Sequence, residues 1–82
     1  MREVSDLYLT ALLRLRGHRP VRVLGDGRRC VWVFDSTPEL ERDLSGFYDG
    51  TLAVPARDFS EAVRSAKGEA MQLATVATVG AR

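Results

Sequence analysis

The chain has one cysteine, one histidine and one lysine among its 82 residues. A single cysteine excludes an intrachain disulfide and a CxxC metal pair, and a single histidine excludes a His-rich metal site. Long apolar runs are missing as well. The longest, Cys30–Phe34, falls far short of the ~20 residues that a membrane-spanning helix needs. The opening MREVSD lacks the apolar stretch of a secretion signal. No charge of one sign dominates either. The formal net charge is +1, which provides no overall field toward a polyanion or a membrane. These absences lead us to expect a small cytoplasmic domain in a reduced compartment, with no cofactor, no metal and no membrane contact. They also leave no nucleophile–base pair of recognisable spacing, so the chain is not expected to be an enzyme.

What is present is the composition of one folded unit: 45% apolar and 28% charged residues. We expect a single domain over 1–74 and a frayed tail over 75–82, where side chains are small and periodicity is weak. Ser5 is a candidate N-cap for a first helix over about 5–16, with Val4 and Leu9 as the two ends of a hydrophobic staple. Leu9, Leu12 and Leu13 follow helical spacing, and Gly17 suits the residue just past the helix end. Asp26-Gly27 then lies between two β-rich runs, about 20–24 and 29–35, which is a hairpin signal. A two-residue turn there pairs Val23 with Cys30. Val21, Val23, Cys30, Trp32 and Phe34 then share one face, and Leu24, Val31 and Val33 share the other with Arg22 and Arg29. A three-residue Gly-Asp-Gly loop shifts the register by one and exchanges half of these between faces. In either register Val31-Trp32-Val33-Phe34 is apolar on both sides, which marks a central strand. Trp32 reads as the core anchor of the sheet and Cys30 as an inert, buried thiol.

A second helix opens at Thr37 with Pro38 at its first position, or at Ser36 with Glu39 completing a capping box. Leu40, Leu44, Phe47 and Tyr48 form its apolar face, and Asp49-Gly50 ends it. Thr51–Val54 reads as a short edge strand stopped by Pro55. A third helix follows, with Asp58 and Glu61 as a capping box and a stripe of Phe59, Ala62, Val63 and Ala66 that Ala70 and Leu73 extend. The fold class is therefore α+β. A small antiparallel sheet, made of a hairpin and a short third strand, packs with three helices in the order α-β-β-α-β-α.

The charge is segregated along the chain. Arg14 to Arg29 holds six arginines against Asp26, and Asp35 to Asp49 holds five acids against Arg42. One reading is a nucleic-acid contact: Arg22, Arg28 and Arg29 on the hairpin, with Arg64 and Lys67 on the last helix, grip phosphates through forked or point-charge donors. Trp32 and Tyr8 then stack bases if they are exposed. The other reading is a protein-interaction module, an adaptor, subunit or inhibitor that includes a homodimer as a special case. It expects an exposed apolar patch rimmed by the acidic helix or the arginines, and little binding to nucleic acid. Apart from both readings, the plainer expectations are that the two charge blocks neutralise each other across the fold, the acidic face of the second helix is solvated, His18 is a surface or capping residue, and Glu61 pairs with Arg64.

Several residues also form a pattern as a set: Asp6-Leu7-Tyr8-Leu9, Leu13, Gly17-His18, Val33-Phe34-Asp35, Leu40, Tyr48, Val54, Phe59 and Arg64-x-x-Lys67. Over about residues 5–71 this resembles a small domain family of unknown function from bacteria, archaea and their phages and plasmids. Ala66 stands where that family carries a leucine before the lysine. The resemblance implies no activity, cofactor or catalytic residue. It implies a small accessory protein in a mobile-element or DNA-processing setting, and it singles out Arg64 and Lys67 as polar marks that the core does not require. Of the two readings the nucleic-acid contact is favoured, and it requires the five basic residues to meet on one surface; if they point in several directions, the protein-interaction module takes its place.

Overall fold

A computed structural model describes the backbone of residues 1–25 and 29–80 and the side chains of 1–25 and 29–72. The elements are β1 (Arg2–Val4), α1 (Leu7–Leu15), β2 (Arg22–Gly25), β3 (Cys30–Phe34), α2 (Pro38–Asp49) and α3 (Ala56–Gly80). The architecture is α+β: one open antiparallel sheet of three strands, ordered β1-β3-β2, and three helices. No helix among the described residues is long and apolar enough to cross a membrane.

The third strand is the main departure from the sequence reading. It comes from Arg2–Val4 at the start of the chain, and 51–54 forms no strand. The element order is therefore β-α-β-β-α-α. The reason is competition for β3. Its two edges are taken by β2, with Val23 opposite Trp32, and by β1, with Val4 opposite Trp32, so no edge is left for 51–54. That segment instead leaves α2 through Gly50, whose positive φ of 74° lets the chain reverse, and Thr51 and Leu52 donate backbone N–H groups to the Gly46 carbonyl. Leu52, Ala53 and Val54 then line a small apolar cleft with Leu12, Phe47 and Phe59.

The hairpin register is also new. Gly25 lies opposite Cys30, two residues away from the pairing that a tight Asp26-Gly27 turn requires. Asp26 and Gly27 themselves lie outside the described residues. A shift of two preserves side-chain direction, so of the two divisions left open the one from the two-residue turn holds for Val23, Cys30, Trp32 and Phe34, whereas Val21 is exposed. Trp32 and Phe34 turn inward and join Val4, Leu9, Leu13, Leu40, Leu44 and Ala66 in one buried cluster, with Val23 and Cys30 packed against it.

The helix ends follow local chemistry. Asp6, not Ser5, caps α1, and its carboxylate accepts the backbone N–H groups of Tyr8 and Leu9 at 2.9 and 3.1 Å. At the other end Gly17 has φ 97°, its N–H reaches the Arg14 carbonyl, and the His18 N–H reaches the Leu13 carbonyl. This paired closure is a Schellman motif, and it needs the left-handed residue that glycine provides. Thr37 caps α2 by accepting from the Leu40 N–H, with Pro38 in the first turn. α3 starts at Ala56, directly after Pro55, so Asp58 sits within its first turn and the expected capping box is not formed. Its backbone stays helical to Gly80, across much of the stretch read as a frayed tail, and residues 81–82 lie outside the description.

Ala62, Ala66 and Ala70 recur every fourth residue on α3, and a stripe of such small side chains lets α1 approach closely. α1 is enclosed as a result: Leu9, Thr10, Ala11, Leu12 and Leu13 are all buried. Thr10 is fully buried, and its hydroxyl has no hydrogen-bond partner among the described residues. An unpaired buried hydroxyl is destabilising, and valine has nearly the same shape. Thr10→Val is expected to raise stability by about 1 kcal/mol, read as an increase in the urea midpoint at unchanged slope. A lower midpoint would show that the hydroxyl has a use here.

Candidate interaction surface

Strand alternation divides the five basic residues of the nucleic-acid reading. Val23 packs into the core, so its neighbour Arg22 points to the opposite side of the sheet, where it lies opposite Val33. Arg29 lines a groove on that same side. Arg28 lies outside the described residues. Arg64 and Lys67 are exposed on α3, and Ala66, between them, is fully buried in the core under the sheet. At 100° per residue Arg64 therefore projects away from the sheet. Arg22 and Arg29 share one face, whereas Arg64 and Lys67 belong to the helix layer on the other side. Arg64 is not paired with Glu61 as expected; Glu61 instead approaches Arg57 at 4.0 Å.

The rings are divided in the same way. Trp32 is 2% exposed, which removes it as a base-stacking platform. Its Nε1–H donates to Glu69 Oε1 at 2.6 Å, and the same oxygen accepts from Arg14 at 3.0 Å. Tyr8 is exposed, but it stands on α1 in the helix layer.

The sheet face turned away from the helices carries Glu3 on β1, Val31 and Val33 on β3, and Arg22 and Leu24 on β2. Glu3, Arg22 and Leu24 are exposed, Val31 is half-buried, and Val33 is buried, only 4% exposed. Glu3, Val33 and Arg22 stand in one row across the three strands. Glu3 and Arg22 form no ion pair among the described residues. Beside the row, Glu3, Ser5, Leu24, Gly25, Arg29 and Val31 line an open groove of about 430 Å³. The hairpin half of this face was one of the two divisions that the sequence left open, and the pairing of β2 with β3 selects it. Glu3 was not, because three residues without alternation give no strand signal.

The helix layer holds a second polar cluster that the sequence did not reveal. Asp43 is 5% exposed, so the acidic face of α2 is not wholly solvated. Its carboxylate receives Arg16 at 3.2 Å and His18 Nε2 at 2.7 Å. His18 is therefore tied to α2 through its ring, with 17% of its side chain exposed, while its backbone N–H helps to close the end of α1, the capping alternative of the sequence reading. Burial opposes ionisation of Asp43, but the hydrogen bonds and charges of Arg16 and His18 together outweigh it and hold its carboxyl below the usual carboxylate range. Arg2 similarly meets Glu41, at 3.0 Å, so several links join basic residues to the acidic block across the fold. Cys30 is half-buried, and burial, then the Glu69 charge, push its thiol up from its ordinary value and keep it protonated. No group of three or more His, Cys, Asp or Glu among the described residues is placed to hold a metal ion. The chain matches no family model, no curated protein and no solved structure.

Proposed function

We propose that this chain is a small non-enzymatic protein-interaction module that docks through the open face of its sheet. The observation that carries this reading is the direction of β3, whose two rings both turn inward and leave aliphatic side chains and charges of both signs outside. A single-stranded nucleic acid on a sheet needs rings to stack its bases on and a largely positive groove to track its backbone. Aliphatic surface from Leu24 and the half-buried Val31, beside charges of both signs, suits a protein surface better. The accessory role and mobile-element setting implied by the family resemblance are compatible with such a module, as is a reduced intracellular location.

A nucleic-acid contact is the second reading, and the shared face of Arg22 and Arg29 is what favours it. The two readings separate in one experiment. Fluorescence anisotropy against labelled single-stranded DNA, duplex DNA and RNA at ~50 and ~200 mM salt spans the range in which phosphate contacts lose most of their affinity. The module reading expects no binding at either salt. It also expects partner proteins captured by the wild-type chain to be lost with Leu24→Glu, a substitution at an exposed position that leaves the core intact. Tight binding that collapses with salt would overturn it in favour of nucleic acid.

A further inference from the structure

We propose that the occupant of the open sheet face is a second copy of this chain, packed face to face about a two-fold axis that runs along β3. This inference rests on the reading of that face as a protein-docking surface and names the partner. The argument is the self-complementarity of one row. Across the sheet the row reads acid, apolar, base: Glu3, Val33, Arg22. A two-fold rotation about the central strand exchanges the two edges. It lays the β1 side of one sheet over the β2 side of the other. Glu3 then faces Arg22 of the second copy and Arg22 faces Glu3, while the buried Val33 of each copy lies near the axis between them. Every like-charge contact in the row is avoided, and two opposite-charge contacts form from groups that make no ion pair within the described chain.

The next row supports the same placement. One residue beyond the β1 ladder, Ser5 lines the same groove as Val31, and Leu24 lies opposite Val31 on β2. The same rotation carries Leu24 of each copy, 45% exposed in the single chain, over the Ser5 side of the other's groove. A small side chain thus receives a large one, as sheets packed about 10 Å apart require. The interface is isologous, so it closes at two copies. The alternative two-fold, perpendicular to the strands, lays Glu3 against Glu3 and Arg22 against Arg22, and charge repulsion disfavours it.

The test is a pair of charge reversals, Glu3→Arg and Arg22→Glu, each examined by sedimentation equilibrium alone and mixed. The wild-type chain is expected to dimerise at concentrations up to about 100 µM, where micromolar association is visible. Each single variant places like charges opposite each other at both ends of the row. Each is expected to weaken self-association by about ten-fold or more. Mixing the two variants restores both opposite-charge contacts, and a heterodimer of near wild-type affinity is the expected result. Recovery in the mixture also shows that neither variant failed to fold. A monomeric wild-type chain, single variants that still dimerise, or a mixture that stays monomeric would each overturn the proposal. If the wild-type chain is monomeric but Leu24→Glu still abolishes capture of a different protein, the dimer fails and the docking-surface reading stands. If capture is also unaffected, both fail.

Discussion

Trp32→Ala is expected to remove a large fraction of the domain's stability. Trp32 is the largest fully buried side chain and sits at the centre of the cluster in which β3, β1 and all three helices meet. Large-to-small changes of a buried aromatic cost about 3–5 kcal/mol, because the space left behind collapses only in part. An 82-residue domain has a total stability of roughly 4–12 kcal/mol. The loss is therefore comparable to the whole at the lower end of that range. The indole also donates to Glu69, which the substitution leaves with Arg14 alone. Urea unfolding followed by far-ultraviolet circular dichroism measures the change. Trp32→Phe separates the two contributions: it keeps most of the volume and loses the hydrogen bond, for an expected cost of about 1–2 kcal/mol. A Trp32→Ala chain within about 1 kcal/mol of wild type would contradict the central place given to this residue.

Asp43→Asn is expected to have the second largest effect, and that effect depends on pH. The carboxylate links the end of α1 to the middle of α2 through Arg16 and His18. Removing its charge leaves His18 facing a neutral amide in a largely enclosed site. Arg16 is nearly half exposed, so its share is screened by solvent. A loss of about 1–3 kcal/mol at neutral pH is reasonable for a buried charge-assisted pair discounted in this way. The folded carboxyl titrates below its ordinary value, so its contribution is fully present above the unfolded-state value of about 3.9 and is lost as pH falls through the lower folded value. The stability difference between wild type and Asp43→Asn should therefore shrink as the solution is acidified below about pH 4. Urea midpoints at neutral and acid pH read it directly. A difference that does not change with pH would mean that the aspartate acts through packing and not through charge.

Much of the local structure was legible in the sequence. Pro38 after Thr37, Gly17 after the leucines of α1 and Gly50 after Asp49 mark helix ends by covalent constraint and backbone freedom, and each acts where it was read. The two faces of the hairpin were legible only as two alternatives, because a register shift of one exchanges them; the observed pairing keeps the division of the two-residue turn, from which it differs by two. Trp32 as anchor follows from a large apolar ring in a strand that is apolar on both sides. The capping residue of α1 was misread because Ser5 and Asp6 are both good acceptors, and the choice turns on where β1 releases the chain.

The sequence by itself determined the α+β class and the helix ends at Gly17, Thr37-Pro38 and Gly50, because these depend on groups a few bonds apart; it left two divisions of the hairpin faces open, and the structure chose between them. Only the tertiary structure decided that Arg2–Val4 and not 51–54 completes the sheet, since a three-residue strand is defined by the edge it pairs with and carries no pattern of its own. It also decided the separation of Arg22 and Arg29 from Arg64 and Lys67. Those residues share a charge sign, but a two-layer fold sends a strand's outer face and a helix's outer face in opposite directions. The union of Arg16, His18 and Asp43, and the row of Glu3, Val33 and Arg22, arise in the same way. Each brings together residues far apart in the chain, whose spacing in sequence encodes nothing about their distance in space.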